Sequence, residues 1–102
     1  MRHRRSDRVL GFVVEAAKKA IRPTKIILYG SRARGDEGER SDYDIAFVGA
    51  DPKRWAEFAL YIDENAPTLL EIDLVQYEKA SGNLRKSIDE EGVVLHESQT
   101  SK

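Results

Sequence analysis

The 102-residue chain reads as one α/β or α+β domain, a two-layer arrangement of helices on a small β-sheet. Three observations predict it. Stretches with helical apolar spacing alternate with short runs rich in β-branched and aromatic residues. Proline or glycine stands at most of the junctions between them. The composition, 40% apolar and 34% charged, suits a folded, water-soluble chain rather than a disordered one.

Val9, Leu10, Val13, Val14, Ala17 and Ile21 form the stripe of a first helix, with Ser6 or Asp7 as N-cap and Pro23 closing it. Residues 25–29 read as a buried strand. Gly30-Ser31 breaks that strand, and a short turn or helix follows through Arg34. Residues 35–41 carry Gly35 and Gly38 among Asp36, Glu37, Glu39 and Arg40, the composition of a loop. A second strand spans residues 42–48.

Asp51-Pro52 opens a helix that turns Trp55, Phe58, Ala59 and Ile62 inward and stops before Pro67. Residues 69–77 form a third strand. The last helix, residues 81–91, puts Leu84 and Ile88 on one face and ends at Gly92. Val93-Val94-Leu95 adds a short terminal strand. The link between the first two strands is too short for a crossover helix, and strand directions stay open. Residues 1–7 read as a flexible basic N-terminus, 8–96 as the domain and 97–102 as a flexible tail.

Seventeen Lys and Arg against eighteen Asp and Glu leave a net charge of −1, which excludes a polybasic nucleic-acid coat. Direct nucleic-acid binding is not expected, and the basic head is read as a solvated terminus. The absence of cysteine excludes disulfides, thiolate catalysis and Cys-ligated zinc. No apolar run approaches the roughly 20 residues that cross a bilayer, and no apolar segment follows the basic head. The expected location is cytoplasmic. A domain this small has a modest core, which leaves room for a stabilising partner.

The chemistry lies in the strands. Asp42 and Asp44 alternate with Tyr43 and leave one face of their strand, Cα atoms about 6.5 Å apart. Such a pair repels by about 2–3 kcal/mol at an effective dielectric near 20, and serves a cation or a proton better than a core. The third strand repeats the pattern, with Ile72 and Leu74 on one face and Glu71 and Asp73 on the other. If the two strands are neighbours, three carboxylates converge. Three hard oxygen donors suit Mg²⁺, and they can hold two ions. Gly30-Ser31, at the end of the first strand, lets a phosphate approach the backbone and offers a hydroxyl donor, and Arg32 or Arg34 can add a charge-assisted contact.

Gly30-Ser31, ten residues, then Asp42-Tyr43-Asp44 gives G-S-x10-D-x-D, with Ile72-Asp73-Leu74-Val75 beyond. In these residues the chain resembles the minimal nucleotidyltransferases of the DNA polymerase β-like superfamily, over residues 8–95. The resemblance implies a small mixed sheet with helices packed on it, the polymerase β palm-like nucleotidyltransferase fold. It implies that Gly30 and Ser31 hold nucleotide phosphates, and that Asp42 and Asp44 bind magnesium. Asp73 would complete the metal site and help deprotonate or position an acceptor hydroxyl. Arg34 looks like the family's arginine, either on phosphate or bracing the site. His3 and His96 match nothing in the motif and are expected at the surface.

The activity implied is Mg²⁺-dependent transfer of AMP from ATP, or of another nucleoside monophosphate, with release of pyrophosphate. Small members of this kind are paired with helical HEPN-type toxins and act as antitoxins by adding AMP to a partner tyrosine. Two alternatives stand beside that expectation. One is transfer to a small molecule or RNA, with acceptor recognition supplied by a homo-oligomer; the other is an antitoxin that neutralises its partner by docking alone. The loop at residues 35–41 is expected to be mobile without nucleotide.

Overall fold

The computed structural model describes residues 7–35 and 42–98. Its elements run α1 (Arg8–Ala20), β1 (Lys25–Tyr29), α2 (Ser31–Arg34), β2 (Tyr43–Val48), α3 (Trp55–Asn65) and β3 (Ile72–Gln76). A 3-10 turn (Tyr77–Lys79), α4 (Gly82–Glu91) and β4 (Val93–Glu97) complete the chain. Asp7 is the N-cap of α1: its carboxylate accepts the amides of Val9 at 2.9 Å and Leu10 at 3.1 Å. The same carboxylate accepts the Tyr43 hydroxyl at 3.0 and 3.3 Å, which ties the start of α1 to β2. Ser81 caps α4, its side chain accepting the Leu84 amide at 3.1 Å.

The four strands make one mixed sheet in the order β3-β2-β1-β4. β1 runs antiparallel to β2 and β4, which explains how a short link suffices between the first two strands. β2 and β3 are parallel, and α3 is the crossover between them.

Strand alternation divides the apolar side chains between two clusters. Ile26, Leu28, Tyr43, Ile45 and Phe47 join Val9, Leu10, Val13 and Ala17 of α1 and Phe58 and Ile62 of α3. Phe47 meets Trp55 and Phe58 edge-on at 5.5 and 5.4 Å, seating α3 on β2. Ile27, Tyr29 and Ala46 take the other face, with Ile88 of α4. Helices therefore cover both faces, giving three layers rather than two. Each fully buried Phe, Ile or Leu here contributes about 1.5–3 kcal/mol by leaving water.

Several boundaries differ from the sequence reading. Asp51 Oδ1 accepts the Lys53 amide at 2.9 Å, so Asp51-Pro52 makes a separate turn and α3 begins only at Trp55. β3 starts at Ile72 rather than 69: Leu69 is fully exposed, and Thr68 Oγ1 accepts the Leu70 amide in a local turn. β3 also ends at Gln76, with Tyr77 already in the 3-10 turn. β4 reaches Glu97, which pairs with Lys25, so the strand includes a residue assigned to the tail. Half-buried His96 pairs with Ile26 inside the sheet instead of lying on a loose surface.

Gly92 ends α4 for a reason other than a left-handed cap. Its φ is −69°, and an added Cβ would collide with the Ile27 side chain and the Ile88 carbonyl. Close approach of the helix end to β1 is what demands glycine there. The loop of residues 35–41 and its expected mobility lie outside the described residues except for Gly35, which closes α2 at φ +82°. The terminal segments 1–6 and 99–102 lie outside them as well.

Two glycine replacements should act in opposite directions. Gly92→Ala is expected to lose about 1–3 kcal/mol of stability by overpacking. Gly11→Ala, in exposed mid-helix with open space around it, is expected to gain up to about 1 kcal/mol. Urea denaturation of both variants measures the pair; a Gly92→Ala midpoint equal to wild type would refute the close-contact account.

Candidate active site

Gly30 links β1 to α2 with φ +79° and ψ −159°, a combination in practice restricted to glycine. An ideal Cβ on it would stand 2.5 Å from Asp44 Oδ2. Backbone geometry and the nearby carboxylate thus exclude a side chain independently. Ser31 opens α2, and the amides of Ala33 and Arg34 both donate to the Gly30 carbonyl at 3.1 Å. The Gly-Ser turn is therefore held directly against Asp44.

Register does the rest. Antiparallel β1–β2 pairing sets Tyr29 opposite Asp44, and parallel β2–β3 pairing sets Asp44 opposite Asp73. Laterally paired residues point to the same face with strands about 4.8 Å apart. Asp44 consequently stands between Tyr29 and Asp73, on the face that α4 covers further along. Asp42 lies one residue before β2 and is exposed. Its Oδ1 accepts the Glu71 amide at 3.2 Å, while the Tyr43 amide donates to the Glu71 carbonyl at 3.0 Å. Asp42 and Glu71 together pin the starts of the two parallel strands. Asp73 itself is exposed, on a strand at the sheet's edge.

The electrostatics follow from this spacing. Burial, then the Asp73 and Asp42 carboxylates, raise the Asp44 pKa above the ordinary carboxylate value, and Arg34 opposes them. Burial, then Asp44 and Asp73, push the Tyr29 phenol up to about 12. Arg34 pairs with Glu91 at 3.0 Å, joining α2 to the end of α4. That ion pair can brace the turn against α4.

Sequence reasoning missed Tyr29 and the contact that Arg32 makes. Tyr29 was counted only as an apolar strand residue. Arg32 stacks over the Tyr43 ring at 4.0 Å, so the turn, β2 and Asp7 form one connected unit. The parity of Tyr29 and Asp44 became informative only once the antiparallel register was known.

Among the described residues no three Asp, Glu or His side chains stand together as a ready-made metal-ligand cluster. Asp42 is turned to the Glu71 amide, Asp44 leans over Gly30, and Asp73 projects outward. The donor set nevertheless suits a hard divalent cation, because it consists of carboxylates without thiolate or imidazole. Asp44 is raised first by burial and then by the neighbouring carboxylates, whose charge such a cation would offset.

The chain matches the family model for the polymerase beta nucleotidyltransferase domain over residues 13–101. No curated protein matches it. Among solved structures it is similar to a toxin–antitoxin complex with AMP-PNP, at 26% identity and a TM-score of 0.71, covering 87% of this chain and 73% of that one. A mutant of the toxin–antitoxin pair MntA–HpeT aligns at 28% identity and a TM-score of 0.68, over 87% of this chain and 72% of that one. The fold is also shared with a complex of tri-AMPylated Shewanella oneidensis HEPN toxin and MNT antitoxin, at 24% identity and a TM-score of 0.65. That alignment covers 87% of this chain and 70% of the other.

A stability consequence follows from Asp44. Its folded-state pKa is raised, so its contribution favours folding below the unfolded value near 3.9 and is lost as pH rises through the folded value. Asp44→Asn is therefore expected to melt higher than wild type at pH 7, and the gap should close towards pH 4. Thermal melts across that range check it; an Asn variant less stable at pH 7 would contradict the cost of holding this carboxylate charged. Gly30→Ala should lose about 1–3 kcal/mol from its forbidden conformation alone.

Proposed function

We infer the reaction from one premise: the chain belongs to the polymerase beta nucleotidyltransferase family. On this reading it transfers AMP from ATP to a hydroxyl group. The acceptor is a tyrosine of a helical HEPN-type partner, and the protein acts as an antitoxin by AMPylation. The observation that carries the proposal is the three-strand register, which sets the Gly30-Ser31 turn, Asp44 and Asp73 along one line of the sheet. Likeness to a toxin–antitoxin complex with AMP-PNP and to one with a tri-AMPylated HEPN toxin supports the nucleotide and the partner.

Gly30 admits phosphate oxygens to the backbone, and the Ser31 hydroxyl donates to them. Asp42, Asp44 and Asp73 are the residues that would hold Mg²⁺. When bound, Mg²⁺ supplies charge neutralisation on the triphosphate and makes the acceptor hydroxyl more acidic. Asp73, exposed on the edge strand, orients the incoming hydroxyl and takes its proton. The new bond from that oxygen to the α-phosphorus forms in line with the breaking bond to pyrophosphate, which departs with the electron pair. Arg34, fixed by Glu91, keeps a positive charge near Asp44 and holds the turn against α4.

Intact-mass spectrometry of a cognate HEPN protein, incubated with this chain, ATP and Mg²⁺, tests the proposal. Mass steps of one or more AMP units are expected, abolished by EDTA and by Asp42→Ala/Asp44→Ala. No added mass, with the double variant still neutralising the toxin, would replace AMPylation by a docking antitoxin.

A further inference from the structure

We propose that the Tyr29 hydroxyl is a direct binding group of this site, donating a hydrogen bond to a phosphate oxygen of the bound nucleotide. The inference rests on the reading of the carboxylate edge as a nucleotide site and adds a residue to it.

Tyr29 is only 7% exposed, and its ring packs with Ile27, Ala46 and Ile88. That packing needs a ring and no more; phenylalanine would fill the same space. Among the described residues nothing accepts a hydrogen bond from its hydroxyl, whereas Tyr43 donates to Asp7 and Tyr77 donates to Asp89. A hydroxyl at the end of a packed ring, with no acceptor among the described residues, is open to a partner supplied from outside the chain.

Position identifies the partner's chemistry. Tyr29 immediately precedes Gly30-Ser31 and is paired with Asp44, on the side of β2 away from Asp73. Tyr29 thus stands beside the Gly30-Ser31 turn, with Asp44 between it and Asp73. Asp42, Asp44 and Asp73 present only acceptors, and a polyanion approaching them needs neutral donors to offset the repulsion. A tyrosine phenol, which ordinarily titrates at about 10, is a neutral donor across the working pH range. It is a donor held ready by packing, at no cost in added charge.

Calorimetric titration of Mg²⁺-ATP and of adenosine into wild type and Tyr29→Phe tests this, with a thermal melt of each protein alone. The variant is expected to bind Mg²⁺-ATP about tenfold more weakly, the size of a hydrogen bond to a charged group. Adenosine binding should be unchanged, and the variant should melt at or above the wild-type temperature. Equal Mg²⁺-ATP affinity in the two proteins would overturn the inference and leave the site reading intact. A variant that melts lower and loses both ligands would overturn it too, by giving the hydroxyl a structural role. Failure of wild type to bind Mg²⁺-ATP at all would overturn the site reading and the inference with it.

Discussion

The parallel pairing of β2 with β3 is the constraint on which the site depends. Asp44 and Asp73 are 29 positions apart in the chain, and only this register sets them side by side. A slip of one residue would turn Asp73 to the opposite face and bring Ile72 or Leu74 out of the core. The apolar half of each strand thus fixes the polar half: Ile45 and Phe47 on β2, with Ile72 and Leu74 on β3, cannot stay against α1 and α3 in any other alignment. Asp42 reinforces the register from outside the ladder by accepting the Glu71 amide.

The face that carries the chemistry is built less securely than the other. On one side a large cluster seals the sheet under α1 and α3. On the other, Ile27, Tyr29, Ala46 and Ile88 form a small cluster that covers part of the surface and stops where the carboxylates begin. Burial of Asp44 and the like charges beside it act against folding, and Gly30 sits in a conformation that other residues avoid. Stability given up at the site is offset by burial elsewhere, the usual relation between a functional edge and its scaffold. Bracing contacts converge on the same place: Arg34 to Glu91, and Arg32 through Tyr43 to Asp7.

Much of this was legible in the sequence, because the signals were local. Alternation in the second strand separated Asp42 and Asp44 from Tyr43, Ile45 and Phe47; in the structure those three are buried in the core, while Asp42 lies just before the strand. Gly30 was legible as a turn but not as a residue kept clear for Asp44, since that contact crosses between strands. The same holds for Gly92, whose demand for glycine comes from Ile27 rather than from its own dihedral angles. Leu69 read as strand because its neighbours are apolar, whereas the Thr68 hydroxyl captures the backbone in a turn just before the ladder. Tyr29 was illegible for a different reason: a tyrosine in an apolar run signals packing, and only the register sets it beside Asp44.

Manganese-induced broadening of the amide resonances of this chain in solution tests the central claim most directly. The account predicts that substoichiometric Mn²⁺ erases the signals of Gly30, Ser31, Asp42, Asp44 and Asp73 first, while those of Asp63 and Glu64 on α3 persist. Broadening centred on α3, or spread evenly over the surface acids, would mean that the sheet edge is not a cation site and that the register serves the fold alone.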